Sequence, residues 1–165
     1  MCIRDRFGEF NAQISYGEDV ISRIVYAEKP GGLERLHAVV LQTINTVIRK
    51  IIRRAGIETG EVSAITLAGN TTMTQLFLKV NPRYIRRSPY VPASTFYPPI
   101  DAVGLGLELA DHVSALVFPS VSSYVGGDIV AGVMGSGVYR TEELTLFIDI
   151  GTNAEIVIGN KDWLA

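Results

Sequence analysis

The feature of the sequence that most constrains its fold is a run of apolar residues from Leu33 to Ile51, spaced at intervals of three or four positions. This spacing places the apolar side chains on one face of an α-helix. Basic residues gather at the end of the run, and Gly56 follows them. Cations favour the C-terminal end of a helix, and glycine commonly ends one. The sequence therefore predicts a long amphipathic helix that needs a partner surface along its apolar face.

Two further apolar stretches, 62–68 and 113–118, have the length and composition of buried strands. Each is followed by a glycine-containing turn and a helical pattern, the second of which covers about 126–137. A shorter helix is predicted over 19–27. Strands that alternate with helices indicate a layered α/β domain. The glycines within the 126–137 helix lower its intrinsic stability, so their presence predicts the close approach of another backbone.

The composition argues against several classes of protein. Of the 165 residues, 47% are apolar, which argues against disorder, and the formal net charge of −2 argues against a general nucleic-acid-binding protein. No stretch reaches the roughly 20 apolar residues that cross a bilayer. Cys2 is the single cysteine, so no disulfide forms within the chain, and the N-terminus has no secretory signal pattern. We therefore expect a cytoplasmic protein with neither nucleic-acid nor membrane partners.

Residues 1–6 resemble the translated end of a sequencing adapter. On that interpretation the native sequence begins near Phe7. Cys2 is then not a native residue, and we assign no chemistry to it.

A second pattern bears on function. An apolar strand over 145–150 carries Asp149 near its end, a tight turn follows at 151–153, and a second strand covers 155–158. The glycine of the turn lets the backbone approach an anion, the N–H groups can donate to phosphate oxygens, and the Thr152 hydroxyl adds a donor. Asp149 would hold Mg²⁺ through water. The alternative is an ordinary β-hairpin in which aspartate and glycine serve the turn, and these residues alone leave both interpretations open.

Four segments carry a resemblance to a known family: 16–24, 68–73, 125–128, and 149–156 together with 159–163. In this order they resemble the C-terminal ATPase region of the reductive activators of corrinoid proteins, the iron–sulfur corrinoid activation family. That region belongs to the ASKHA superfamily of acetate and sugar kinases, actin and heat-shock chaperones, whose phosphate-binding loops are Asp–Gly hairpins. One departure is Ala154, where the family often has glycine.

The resemblance implies an actin-like, ribonuclease-H-like α/β fold in which a mixed sheet is flanked by helices. Residues 7–143 would form most of the first ASKHA subdomain, and residues 144–165 would begin the second with its phosphate-binding hairpin. Full-length members carry an N-terminal ferredoxin-like domain with a 2Fe–2S cluster and continue into an adenosine-binding subdomain. We therefore expect an internal fragment, truncated at both ends and inactive on its own.

The resemblance also implies an activity. The full-length protein would bind ATP and Mg²⁺ and couple ATP hydrolysis to uphill electron transfer, from its iron–sulfur cluster to the Co(II) of a methyltransferase-associated corrinoid protein. We expect no cluster in this chain and a homodimer for the full-length protein. Two alternatives remain, an ASKHA-type kinase of a small molecule and a non-enzymatic nucleotide switch of the actin or chaperone type.

The same resemblance assigns roles to individual residues. Asp128 would be catalytic, because actin-like ATPases place a residue that orients the attacking water at the start of this helix; the alternative is an aspartate that favours the helix dipole. Asn70 would either face the nucleotide cleft or cap the helix that follows it. The phosphate and metal contacts would come from Gly151, Thr152, Asn153 and Asp149.

Overall fold

The computed structural model describes residues 6–151 and 153–165. Its helices are α1 (Val20–Ala27), α2 (Gly32–Ala55), α3 (Thr71–Phe77) and α4 (Gly127–Ser136). Its strands are β1 (Ala64–Leu67), β2 (Ile100–Asp101), β3 (Ser114–Val117), β4 (Thr145–Ile150) and β5 (Ala154–Gly159). Short 3₁₀ helices lie at Ala12–Tyr16, Thr59–Glu61, Arg83–Arg86 and Val138–Arg140. The predicted mixed α/β class is confirmed, whereas Cys2 and Thr152 lie outside the described residues.

The long amphipathic helix predicted from the apolar spacing is confirmed as α2. Its buried face carries Leu36, Val40 and Ile48. The helix ends at Gly56, whose φ of 66° is left-handed and whose N–H donates to the carbonyl oxygen of Arg53 at 3.3 Å. Glycine is favoured there because other residues rarely adopt a positive φ. Among the helices of the described ranges, α2 included, none has the length and apolar content that a membrane crossing requires.

Three strands form a mixed sheet in the order β1-β3-β2. β1 and β3 are parallel, with Ala64 opposite Ser114 and Leu67 opposite Val117, and β2 pairs with β3 in the antiparallel sense. Because β1 and β3 run in the same direction, their carboxyl ends lie at one edge of the sheet. The chain leaves this edge into α3 after β1 and into α4 after β3, so the two helices begin at the same edge.

The long helix α2 packs against the sheet through the main hydrophobic core. The buried members of this core are Val40, Ile48, Phe77, Ala102, Leu107, Val113 and Ala115. Asn45 of α2 is also buried, and its side chain reaches the turn that precedes β3. Its Nδ2 donates to the carbonyl oxygen of Gly106, and its Oδ1 accepts from the N–H of Glu108, both at 2.9 Å. One side chain thus satisfies two backbone groups and fixes the turn against the helix.

The first helix, α1, joins the same layer through a second cluster of Ala27, Leu36 and Leu76. The turn from α1 into α2 is so tight that a Cβ on Gly32 would collide with the carbonyl oxygen of Tyr26. Packing therefore requires glycine at this position.

β4 and β5 form a separate antiparallel hairpin, in which Thr145 lies opposite Gly159 and Ile150 lies opposite Ala154. The strand, turn and strand predicted here are confirmed. One face of the hairpin contacts α4, and the other face exposes five aliphatic side chains. These are Leu146, Ile148, Ile150, Ile156 and Ile158.

An ion pair ties the end of α1 to the loop that follows α3. Oε2 of Glu28 accepts hydrogen bonds from Arg86 at 2.6 Å and from Arg87 at 2.9 Å. The hydrogen bond from the Arg86 guanidinium holds the pKa of the Glu28 carboxyl below its ordinary value. Because the pKa is lowered only in the folded state, the pair stabilises the fold above the unfolded-chain pKa of about 4.3. That stabilisation is lost as the pH falls through the folded-state pKa.

We expect Glu28→Gln to reduce the free energy of opening of α1 by about 1 kcal/mol at neutral pH, since it removes the charge that the two arginines contact. The difference in this free energy between the variant and wild type should shrink as the pH falls below about 4, where the wild-type carboxyl becomes protonated. Hydrogen exchange of the α1 amides measures the free energy of opening at neutral and at low pH, and the exposed Glu18→Gln is the control. A deficit that persists unchanged at about pH 3 would contradict an electrostatic origin.

Candidate functional site

The turns that follow β1 and β3 contact each other at the edge of the sheet. The N–H of Asp128 donates to the carbonyl oxygen of Gly69 at 3.2 Å. A Cβ on Gly126 would collide with the Cα of Asn70 and would lie 2.7 Å from Oδ1 of Asp128. The missing side chain at Gly126 therefore allows Asn70 and Asp128 to come together.

Asn70 caps α3. It is half-buried, and its Oδ1 accepts a hydrogen bond from the N–H of Met73 at 2.8 Å. Capping satisfies one of the first N–H groups of the helix, which have no carbonyl partner within it. The side-chain oxygen is thus engaged within the fold, and contact between Asn70 and a nucleotide stays a prediction.

Asp128 lies in the first turn of α4 and is half-buried. Its Oδ1 accepts from the N–H of Ile129 at 3.0 Å. A carboxylate in the first turn interacts favourably with the helix dipole. The position is compatible with both predicted roles, orientation of a water molecule and stabilisation of the helix, so the catalytic role stays a prediction.

Asp149 lies near the end of β4, directly opposite Glu155 of β5. Both side chains are half-buried, and they share the face of the hairpin that carries Phe147 and Val157, since alternate residues of a strand share a face. Two carboxylates placed opposite each other repel, and a bound cation would relieve that repulsion. We did not predict Glu155 from the sequence, although the turn at 151–153 is a signal that pairs positions 149 and 155.

The turn between β4 and β5 is exposed at Gly151 and Asn153. The N–H of Gly151 donates to the carbonyl oxygen of Asn153 at 2.9 Å. A Cβ on Gly151 would meet nothing closer than that oxygen, at 3.9 Å, and the φ of Gly151 lies outside the left-handed region. The packing of the described residues therefore does not require glycine here. Thr152, the remaining turn residue that is predicted to contact phosphate, lies outside the described residues.

The hairpin contacts α4 where the tip of the Phe147 ring points at Gly132. A Cβ on Gly132 would lie 3.2 Å from both Cε atoms of the ring and closer still to Cζ. The prediction that the glycines of this helix admit another backbone is wrong at Gly132, because the close neighbour is an aromatic side chain. A backbone does lie close at the start of the helix, where a Cβ on Gly127 would be 2.7 Å from the carbonyl oxygen of Phe118.

The predicted site residues fall into two groups. Asn70 and Asp128 meet at the edge of the sheet, whereas Asp149, Gly151 and Asn153 lie on the hairpin. Within residues 6–151 and 153–165, no group of three or more His, Cys, Asp or Glu side chains is arranged to hold a metal ion. The helix α4 connects the two groups, since it carries one of the residues and contacts β4.

Two family models match the chain. The model described as the RACo middle region matches residues 3–141. The chain belongs to this family. The model described as the C-terminal domain of RACo, the ASKHA domain, matches residues 143–165, which include the hairpin. The change from one match to the other falls just before β4.

Two individual proteins of known kind are similar to this chain. The corrinoid activation enzyme RamQ of Eubacterium limosum is 31% identical over 162 residues, which are 98% of this chain and 27% of RamQ. A solved structure of a reductive activator for corrinoid, iron–sulfur protein is 50% identical, with a TM-score of 0.91, over 94% of this chain and 25% of that one. The chain is thus homologous to corrinoid activation enzymes and spans about a quarter of their length.

We expect Asn70→Ala to reduce the free energy of opening of α3 by about 1 kcal/mol, because it removes the cap hydrogen bond to Met73. Asn70→Asp should retain that stability, since aspartate caps helices as well as asparagine does. Hydrogen exchange of the Met73 amide and the following α3 amides distinguishes the two variants. Equal protection in both variants would contradict a capping role.

Proposed function

We propose that the full polypeptide is an ATP-dependent reductive activator of a methyltransferase-associated corrinoid protein in the cytoplasm. The observation that carries the proposal is the 50% identity, at a TM-score of 0.91, to a reductive activator for corrinoid, iron–sulfur protein. An iron–sulfur cluster elsewhere in the full polypeptide would supply the electron that converts Co(II) of the corrinoid to Co(I), and an external low-potential donor would replace that electron. ATP and Mg²⁺ would bind between two ASKHA subdomains, formed by residues 7–143 and by the chain from residue 144 onward.

The iron–sulfur cluster does not fit this chain. Such clusters are held chiefly by cysteine thiolates, and the sequence has a single cysteine, Cys2. The cluster ligands would therefore lie in an N-terminal ferredoxin-like domain of the full polypeptide.

The hairpin does fit a magnesium ion. Asp149 and Glu155 present carboxylates on one face, and Mg²⁺ prefers oxygen ligands while it retains several waters. Asp149 would hold the ion through water, and Glu155 would add negative charge beside it. When bound, the ion would neutralise charge on the phosphates of ATP.

The turn of the hairpin fits a phosphate group. Gly151 is not required by the packing around it, so its lack of a side chain is free to serve the close approach of a phosphate oxygen. The Gly151 N–H donates to Asn153 in this structure, so donation to phosphate would replace that hydrogen bond. Thr152 and Asn153 would supply further donors.

The helix α4 would link the two parts of the site. Asp128 at its start would orient the attacking water, and Asn70 beside it would border the nucleotide cleft. The nucleotide can drive electron transfer only if the ATP and ADP states differ in their affinity for the partner's states. Because α4 also contacts β4, a shift of the hairpin upon hydrolysis would be transmitted to Asp128.

Asp149→Asn in the full polypeptide should lower kcat/KM for ATP by about tenfold or more and weaken its dependence on Mg²⁺, because the amide removes the charge that holds the ion. Co(I) formation, followed by the visible spectrum of the corrinoid protein, should fall in parallel. Both rates are measured across a magnesium titration.

The matched control is Asp162→Asn, which removes an exposed carboxylate beyond the other end of the same hairpin. It should leave both rates close to wild type. Equal activity and equal magnesium dependence in Asp149→Asn would show that the hairpin is a plain β-turn.

Asp128→Asn should lower kcat by about 100-fold while the affinity for ATP changes little, since the orientation of water matters mainly in the transition state. Single-turnover hydrolysis together with equilibrium binding of ATP separates the two quantities. A collapse of affinity with normal turnover at saturation would assign Asp128 to binding or to structure instead.

A further inference from the structure

The contact between Phe147 and Gly132 is selective for glycine. A methyl group at position 132 would lie 3.2 Å from both Cε atoms of the ring and closer still to Cζ. Three residues later on the same helix, a methyl group at Gly135 would meet nothing within 4 Å. Alanine stabilises a helix relative to glycine at either position, but the packing of the ring opposes a side chain at position 132 and not at position 135.

This contact lies between the two groups of proposed site residues. Gly132 follows Asp128 by four residues, so the two lie on the same face of α4, one turn apart. Phe147 precedes Asp149 by two residues, so the two lie on the same face of β4. Each proposed functional carboxylate therefore lies on the same face of its own element as one of the two contact residues.

The described hydrogen bonds between the hairpin and the preceding chain lie at the base of the hairpin. The N–H of Lys161 donates to the carbonyl oxygen of Thr141 at 2.8 Å, and Nδ2 of Asn160 donates to that of Glu142 at 3.3 Å. These bonds join the end of β5 to the segment just before β4. They hold the base of the hairpin, whereas β4 contacts α4 further along the strand, where Phe147 meets Gly132.

We propose that the contact between Phe147 and Gly132 sets the position of Asp149 relative to Asp128, so that both contact residues are positioning residues for ATP hydrolysis. The inference rests on the proposed function, because it assigns a role within that site. A methyl group at position 132 would meet the tip of this ring. We expect it to push the ring, and with it the strand that carries the ring, away from α4. That displacement moves the hairpin tip while leaving every proposed ligand in place on its own element.

The test compares Gly132→Ala with Gly135→Ala in the full polypeptide. Gly132→Ala should lower kcat/KM for ATP by about tenfold, with most of the loss in kcat, because misplaced groups lose transition-state contacts first. It should also accelerate hydrogen exchange of the β4 amides. Gly135→Ala adds the same methyl group to the same helix in open space, so it should match wild type in both measurements.

A second arm tests whether the ring is the cause. Phe147→Leu shortens the side chain, so the double variant Gly132→Ala with Phe147→Leu has space for the methyl group and should recover much of the lost kcat. General loss of stability predicts instead that the two single effects add. Additive effects, or a Gly132→Ala variant as active as Gly135→Ala, would overturn the proposal.

The outcomes separate this inference from the proposed function. If wild type hydrolyses no ATP, the proposed function fails, and the positioning role in hydrolysis fails with it. Hydrogen exchange of the β4 amides then shows whether the contact still holds the hairpin against α4. If wild type hydrolyses ATP and reduces the corrinoid but Gly132→Ala does so equally well, the function stands and the positioning role is wrong.

Discussion

The parallel pairing of β1 with β3 is the constraint on which the rest of the structure depends. It brings the carboxyl ends of two strands to one edge, so the turns at Asn70 and Asp128 meet although they are far apart in the chain. The same pairing directs α4 away from this edge toward the hairpin. Without this pairing, nothing would hold the cap of α3 beside the start of α4.

The sheet is itself held by α2, whose buried face covers it. Asn45 shows why this contact is specific as well as apolar, since an apolar residue there would leave a carbonyl oxygen and an N–H of the turn before β3 without partners. Hydrophobic burial supplies the driving force for packing, and hydrogen bonds of this kind fix one arrangement of the packed elements.

Much of the fold was predictable because its signals are local. The spacing of apolar residues located α2, the alternation around Asp149 located the hairpin, and Gly56 marked a helix end. What the sequence did not reveal depends on registers and contacts between distant residues. Glu155 becomes a neighbour of Asp149 only through the pairing of β4 with β5, and the ring of Phe147 reaches Gly132 only after the hairpin folds onto α4.

The aliphatic outer face of the hairpin has a consequence for how the polypeptide behaves in solution. Its five exposed leucine and isoleucine side chains form a continuous strip on two paired strands rich in β-branched residues. Such strips associate with one another when nothing covers them, and here no lysine or proline interrupts the strip. Residues 6–165 released as a free polypeptide would therefore aggregate through this strip as concentration rises, and during synthesis the hairpin would need protection from premature self-association.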